Sequence, residues 1–211
     1  MTRVLILGAN GAISKAAINS FLENTTYTLR LFLRDANRLP DFASDRIRVR
    51  EGDATNLDDV TNAMEDVDIV FASLSGDLDK EAKTIVDAMK ANKVKRLVFV
   101  TSLGIYNEIP GEFGTWVKTQ ISDSLPVYKK AADIIEQSDL DYTILRPAWL
   151  TDINEIDYEI TKKDQPFKGT EVSRKSVAAV AVQIAKNPEL YLNENIGINK
   201  PNTNFDKPRW K

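Results

Sequence analysis

The sequence predicts an α/β fold: one domain in which a mostly parallel sheet is doubly wound, with helices on both faces. Three observations predict it. Strand-like and helix-like segments alternate along the whole chain, as connected parallel strands require. The first strand candidate, "RVLILG" (3–8), is a continuous apolar run, the pattern of a strand covered on both faces. The 211 residues show no repeat, low-complexity tract or linker that would divide them, and they suffice for one domain with a substantial core.

The elements follow in order. "GAISKAAINSFLEN" (11–24) has helical spacing, with Ile13, Ala16, Ala17 and Phe21 on one side. "YTLRLFLR" (27–34) is a second strand and "IRVREG" (47–52) a short third one. "NLDDVTNAMED" (56–66) is helical, "VDIVFASL" (67–74) a fourth strand, and "LDKEAKTIVDAMKANK" (78–93) a strongly amphipathic helix. "VKRLVFVTS" (94–102) is a fifth strand, rich in β-branched residues. "LPVYKKAADIIEQSD" (125–139) is a helix with Pro126 near its first turn, and "LDYTILRP" (140–147) a sixth strand stopped by Pro147. "YEITKK" (158–163) is a short strand, "SRKSVAAVAVQIAKN" (173–187) a helix and "NIGINKP" (195–201) a last short strand. Leu103 to about Ser124 has no assigned element. A long loop after the carboxyl end of a strand is where open α/β sheets bind ligands, so substrate loops are expected near 103–124 and 148–170.

Composition excludes several chemistries. With no histidine and no cysteine, there is no serine–histidine triad, histidine base, thiol nucleophile or disulfide. A net charge of −3 gives no electrostatic reason to expect nucleic acid or an anionic membrane as a partner. No apolar run approaches the ~20 residues of a membrane helix, and the chain opens on a strand rather than a signal segment, so a cytoplasmic location is expected. The acidic set Asp152, Glu155, Asp157 and Glu159 fits no ligand loop and reads as a solvated rim, with no metal expected.

The turn "GANGAIS" sits between the first strand and the first helix. Gly8 permits a tight turn, Gly11 lets the backbone approach a pyrophosphate, and Ser14 stands where a third small residue lets the helix close on the strand. Such a Rossmann-type turn aims free helix N–H groups at phosphate. The end of the second strand selects the cofactor. Arg34 suits the 2′-phosphate of NADP, while Asp35 next to it leaves NAD open. NADP(H) is the expected cofactor.

Together "GANGAIS", "LRDANR", "EGDATN", "RLVFVTSLGIY" and "SDLDYTILRPAWLTD" resemble the atypical short-chain dehydrogenase/reductases, and more narrowly the NmrA-like NAD(P)H-binding proteins related to biliverdin reductase B-type flavin reductases. The resemblance runs from about Arg3 to about Asn199. It implies that Gly8, Asn10, Gly11, Ala12 and Ile13 line the pyrophosphate and that Arg34 meets the adenosine ribose or its phosphate. It further implies that Asp53 and Ala54 flank the adenine, that Ser73 and Leu74 face the nicotinamide ribose, and that Pro147 lies beside the nicotinamide. Ser102 and Tyr128 match the catalytic serine and tyrosine.

One departure bears on chemistry. The superfamily's catalytic tyrosine is followed four residues later by a lysine, but here "YKKAA" puts Ala132 in that place, and Lys129 and Lys130 point to other faces. The pair Tyr158 and Lys162 has the spacing but falls on a strand, where residues four apart are ~13 Å from each other. Tyr128 is then expected to keep a phenol pKa near ~10 and to be a poor acid at neutral pH. Three outcomes are open: reduction of a small molecule such as a flavin or quinone, where hydride passes directly and protons come from solvent; weak use of Tyr128 with Ser102; or a nucleotide-responsive regulator. Tyr106, Phe113, Trp116 and Trp149 are expected to form an apolar wall for a planar substrate.

Overall fold

The computed structural model describes residues 1–211. Its main sheet has eight strands in the order β3-β2-β1-β4-β5-β6-β10-β8. These are β1 (Arg3–Leu7), β2 (Thr28–Leu33), β3 (Ile47–Glu51), β4 (Ile69–Ala72), β5 (Arg96–Val100), β6 (Asp141–Pro147), β8 (Glu159–Thr161) and β10 (Glu194–Asn199). All neighbours run parallel except the edge strand β8, which is antiparallel to β10. The order reverses at β1, which pairs with β2 on one side and β4 on the other, with Leu7 opposite both Phe32 and Ala72. That reversal is the crevice where doubly wound sheets bind ligands.

β1 shows why the run is apolar throughout. Val4 and Ile6 enter the core on one face, and Leu5 and Leu7 enter the core on the other. The first core is closed by α1 (Ala12–Asn24), α4 (Gly111–Ile121) and α6 (Arg174–Lys186). The second is closed by α2 (Leu57–Ala63), α3 (Leu78–Asn92) and α5 (Leu125–Glu136). On α1 the buried side is Ile13, Ser14, Ala17, Ile18 and Phe21, so Ser14 and Ile18 take the place expected for Ala16.

Two features differ from expectation. Residues 103–124 are not one long loop, because α4 occupies Gly111–Ile121. Its first turn follows Pro110, and Gly114 lies where a Cβ would overlap the Ile109 carbonyl. Two glycines and a preceding proline depress local helix propensity, and burial of Phe113 and Val117 overrides it. The segment after β6 also forms a second, two-stranded parallel sheet from β7 (Trp149–Thr151) and β9 (Glu171–Ser173). Residues 200–211, the polar stretch after β10, are pinned: Lys200 N–H donates to Glu171 O at 2.7 Å, and Arg209 pairs with the buried Glu171 carboxylate.

The segment leaving β5 is fixed by a buried charge. Arg146 on β6 is fully buried and paired with Glu108. Its Nε donates to Asn195 Oδ1 at 2.7 Å. Glu108 in turn accepts from the backbone N–H groups of Gly104 and Tyr106, both at 3.0 Å. Removing one partner of a buried pair leaves the other charge uncompensated. Glu108→Ala is therefore expected to destabilise the fold by roughly 3–5 kcal/mol, measured by urea denaturation; a loss under about 1 kcal/mol would show that the pair is dispensable.

Candidate dinucleotide site

The chain leaves β1 in a conformation only glycine takes easily. Gly8 has φ +78°, and a Cβ there would overlap the Ser73 carbonyl oxygen at the end of β4. The turn is held by the N–H groups of Gly8 and Ala9, both donating to Phe32 O at 3.1 Å, and by Gly11 N–H donating to Gly8 O at 2.9 Å. Gly11 has an ordinary φ of −63°, but a Cβ there would stand 3.2 Å from Gly8 O. It is the N-cap of α1 and offers no side chain to the first-turn N–H groups, and no acidic residue lies in that turn. The helix start is thus open to an anion. Ser14 packs fully buried at the third position with its Oγ unpartnered, and Asn10 Oδ1 is also buried without a partner.

A cleft of about 680 Å³ opens from this turn. Of the residues predicted for the nucleotide, Gly8, Asn10, Gly11, Arg34, Asp53, Ala54, Ser73 and Leu74 line it together. Ala12, Ile13 and Pro147 do not. Ala12 is exposed at the start of α1, Ile13 points into the core, and Pro147 is buried at the end of β6. Ser102 lies next to that strand end and also outside the lining, its neighbour Leu103 donating its N–H to Pro147 O at 3.3 Å.

Three features of the cleft go beyond the sequence reading. Arg34 is not the only cation at the end of β2: Arg38, on the short 3-10 turn Ala36–Arg38, lines the same cleft. Asp35, the acid beside Arg34, caps that turn, with Oδ1 accepting from Asn37 N–H at 3.0 Å. Arg34 and Arg38 are exposed and in no ion pair. The third feature is Glu81, one turn into α3, 8% exposed, with Oε2 buried and lacking any hydrogen-bond partner. Burial, reinforced by the charge of Asp53, pushes its carboxyl up to about 7 against the opposing pull of Arg34. Asp53 moves the other way, held below the usual range by the backbone and side-chain donors of Thr55. The signal for Glu81 was in the sequence: it falls three residues after Leu78 and four before Ile85, on the apolar stripe of the helix.

The catalytic candidates lie outside this cleft. Ser102 Oγ donates to Leu103 O at 3.1 Å. Tyr128 is half-buried on α5, and burial, with the nearby charge of Glu81, raises its phenol above the ordinary value expected for it. Ala132 is fully buried against the core shared with α3. Lys129 pairs with Asp133 at 2.6 Å and Lys130 with Asp79 of α3 at 2.6 Å, so neither replaces the absent lysine. Tyr158 donates to Gln183 at 3.0 Å and Lys162 faces Glu194, so that spacing match makes no pair. Of the four aromatics, three gather: the Phe113 and Trp116 rings stack at 6.0 Å, and Trp149 meets Trp116 edge-on at 4.6 Å. Tyr106 belongs to the opposite face, where it donates to Glu136 at 3.2 Å and lies under Lys163.

A glycine turn at a sheet reversal, opening onto a long cleft with cations at the second strand's end, defines a Rossmann-type nucleotide-binding domain. Residues 8–188 match the NAD(P)H-binding family, and the chain belongs to it. A relative from Bacillus subtilis (strain 168), the uncharacterized sugar epimerase YhfK, is 30% identical over 168 residues, 70% of this chain and 72% of that protein. A Rossmann-fold NAD(P)-binding family protein from Shigella flexneri is 46% identical, with a TM-score of 0.86 over 99% of this chain and 98% of that one. A short-chain dehydrogenase/reductase from Veillonella parvula DSM 2008, solved in complex with NADP, is 26% identical, with a TM-score of 0.93 over 99% of each chain. No helix is long and apolar enough to cross a membrane.

Two outcomes are expected from this geometry. Gly8→Ala should cost about 1–3 kcal/mol through backbone strain alone, with the Ser73 overlap adding to it, whereas Gly11→Ala should leave the melting temperature nearly unchanged; equal melting temperatures for both would contradict the turn geometry. Glu81, whose folded pKa lies above its ordinary value of 4.5, supports the fold fully below that value and loses its contribution as pH rises toward 7. Glu81→Gln should therefore gain on the order of 1–2 kcal/mol at pH 8, discounted for solvent screening, and nothing at pH 4. Urea denaturation of both proteins at the two pH values measures it, and a pH-independent difference would contradict it.

Proposed function

We propose that the chain is an NADPH-dependent oxidoreductase that acts on a flat, conjugated small molecule of the flavin or quinone type. One observation carries the reading: at the adenosine end of the cleft Arg34 and Arg38 carry no partner, while the neighbouring acid Asp35 is engaged by Asn37. An acid free at this position would favour the ribose hydroxyls of NAD, and free guanidinium forks favour a 2′-phosphate. The orphaned Asn10 Oδ1 and the space that a Cβ at Gly8 would fill suit a phosphate-bearing ligand laid against the turn.

NADPH supplies a hydride at its nicotinamide ring. What this chain's residues supply beside it decides the acceptor. Ser102 is bonded to its own neighbour, Tyr128 is held above its ordinary pKa, and Ala132 brings no cation to lower it. Carbonyl reduction needs an acid at oxygen, a contribution of ~10²–10⁴-fold. A flavin or quinone needs mainly proximity and orientation, with protons taken from water. In this reading Ser102 and Tyr128 border the nicotinamide with Pro147 and act at most weakly as donors. The acceptor lies along residues 103–124 and 148–170, where Phe113, Trp116 and Trp149 form an apolar wall.

NADPH should bind more tightly than NADH, and Arg34→Ala should remove part of that gap, about 1.5–3 kcal/mol, with Arg38 holding the remainder. Fluorescence titration of both nucleotides tests this, and equal affinities for the unmodified protein would contradict it. With NADPH present, flavin or quinone reduction should exceed that of simple ketones, and Tyr128→Phe should slow it by less than about tenfold. A larger loss would make Tyr128 a true acid. Tight NADPH binding without turnover of any acceptor would favour a nucleotide-responsive regulator, the reading that the engaged Ser102 hydroxyl favours.

A further inference from the structure

Of the four carboxyls that line the cleft, Asp35, Asp53 and Asp77 each have a partner in the protein and Glu81 has none. Glu81 is more than nine-tenths buried, lines the cleft with Asp53, Ala54 and Leu74, and has an oxygen that no donor reaches. A buried carboxyl left in this way destabilises the fold unless a ligand completes it. Its place along the cleft says which part of a ligand. The glycine turn takes the pyrophosphate and Arg34 with Arg38 the 2′-phosphate. The base is then left the stretch lined by Asp53 and Ala54 after β3 and by Leu74, Ser75 and Gly76 after β4, the part of the lining that Glu81 shares with Asp53 and Asp77.

We propose that Glu81 holds the adenine edge of the bound nucleotide through its carboxyl group, as a neutral acid that donates one hydrogen bond and accepts another. This rests on the reading that the cleft takes NADP(H). Adenine presents a ring-nitrogen acceptor beside an amino donor. A neutral carboxyl carries the complementary pair, a hydroxyl donor beside a carbonyl acceptor, whereas a carboxylate only accepts. The surroundings favour the neutral form. Asp77 precedes Glu81 on its own element, Asp53 follows β3, and Asp59 of α2 accepts from Asp53 N–H at 3.0 Å. Tyr128 faces it from α5, and Arg34 is the one opposing cation. Asp53 stays ionised through its Thr55 donors, so the two carboxyls at the base end divide into one ionised and one neutral group.

The consequence is cofactor binding that weakens as pH rises above neutrality, and this chain reports it cleanly. It has no histidine and no cysteine to titrate between pH 7 and 8.5. The amino group of Met1 precedes β1, at the end of the sheet away from the cleft. A 2′-phosphate is already largely dianionic above pH 7, its second pKa being near 6.

The test is fluorescence titration of NADPH at pH 7.0 and 8.5 with the unmodified protein and Glu81→Gln, whose amide offers the same donor and acceptor without titrating. Reduced nicotinamide mononucleotide, which lacks the adenosine half, serves as a second probe. The unmodified protein should lose about tenfold in NADPH affinity across that interval, Glu81→Gln should change by less than about twofold, and the mononucleotide should show no difference between the two proteins. A parallel decline in both proteins, or a flat profile in the unmodified one, would overturn the role of Glu81 while leaving the nucleotide site intact. Failure of NADPH to bind at either pH would overturn the nucleotide reading itself, and this proposal with it. Should Glu81→Gln not fold, the pH profile of the unmodified protein decides alone.

Discussion

The contact between Gly8 and the Ser73 carbonyl is the constraint on which the site depends. β1 and β4 are adjacent and in register, so their ends arrive at the same level of the sheet. The chain leaving β1 must pass over the end of β4 with no room for a side chain, and it does so at φ +78°. That passage sets where α1 begins, and so where its unfilled N-terminus points. The same crossing holds Ser73 and Leu74 on one wall of the cleft, while the Phe32 carbonyl, accepting from Gly8 and Ala9, ties the turn to β2 and to Arg34 beyond it. Three strand ends are brought together by one glycine, and the cleft is the space they leave.

Charge then decides what the space can hold. The uncapped start of α1 and the unpaired Arg34 and Arg38 share the cleft with the carboxyls of Asp53, Asp77 and Glu81. A ligand that carries both phosphates and a hydrogen-bonding base matches that mixture. The face of α5 around Tyr128 is poor in free acid–base groups. Lys129 and Lys130 are committed to Asp133 and Asp79, and the helix face that includes Ala132 is packed into core. A lysine at that place would be buried among the apolar residues of α3 and α5, so its absence agrees with how α5 packs.

The alternating architecture and most of the nucleotide cleft were legible in the sequence, because strand hydrophobicity and the glycine turn are local signals with a physical period. α4 was not, since Gly111 and Gly114 argue against a helix and only the fold shows that Gly114 lies against the Ile109 carbonyl. The three-residue strands β7 and β9 are too short to show a period and are recruited by pairing alone. Tyr106 was grouped with Trp116 by proximity in sequence, but it leaves on the opposite face because Glu108 and Arg146 fix the segment between β5 and α4. Arg38 reads as an ordinary solvated turn residue, while Glu81 stands out as a charge on the apolar stripe of α3; what either faces appears only once β2, β3 and β4 end at one cleft.

The measurement that bears most directly on the central claim is a crystal structure of the protein grown with NADP. The expected density lies in the cleft beside β1 and β4, with the pyrophosphate against the Gly8–Gly11 turn, the 2′-phosphate within hydrogen-bond distance of Arg34 or Arg38, and the adenine between Ala54 and Leu74 against Glu81. Nucleotide density elsewhere, or a 2′-phosphate turned away from both arginines, would contradict the account.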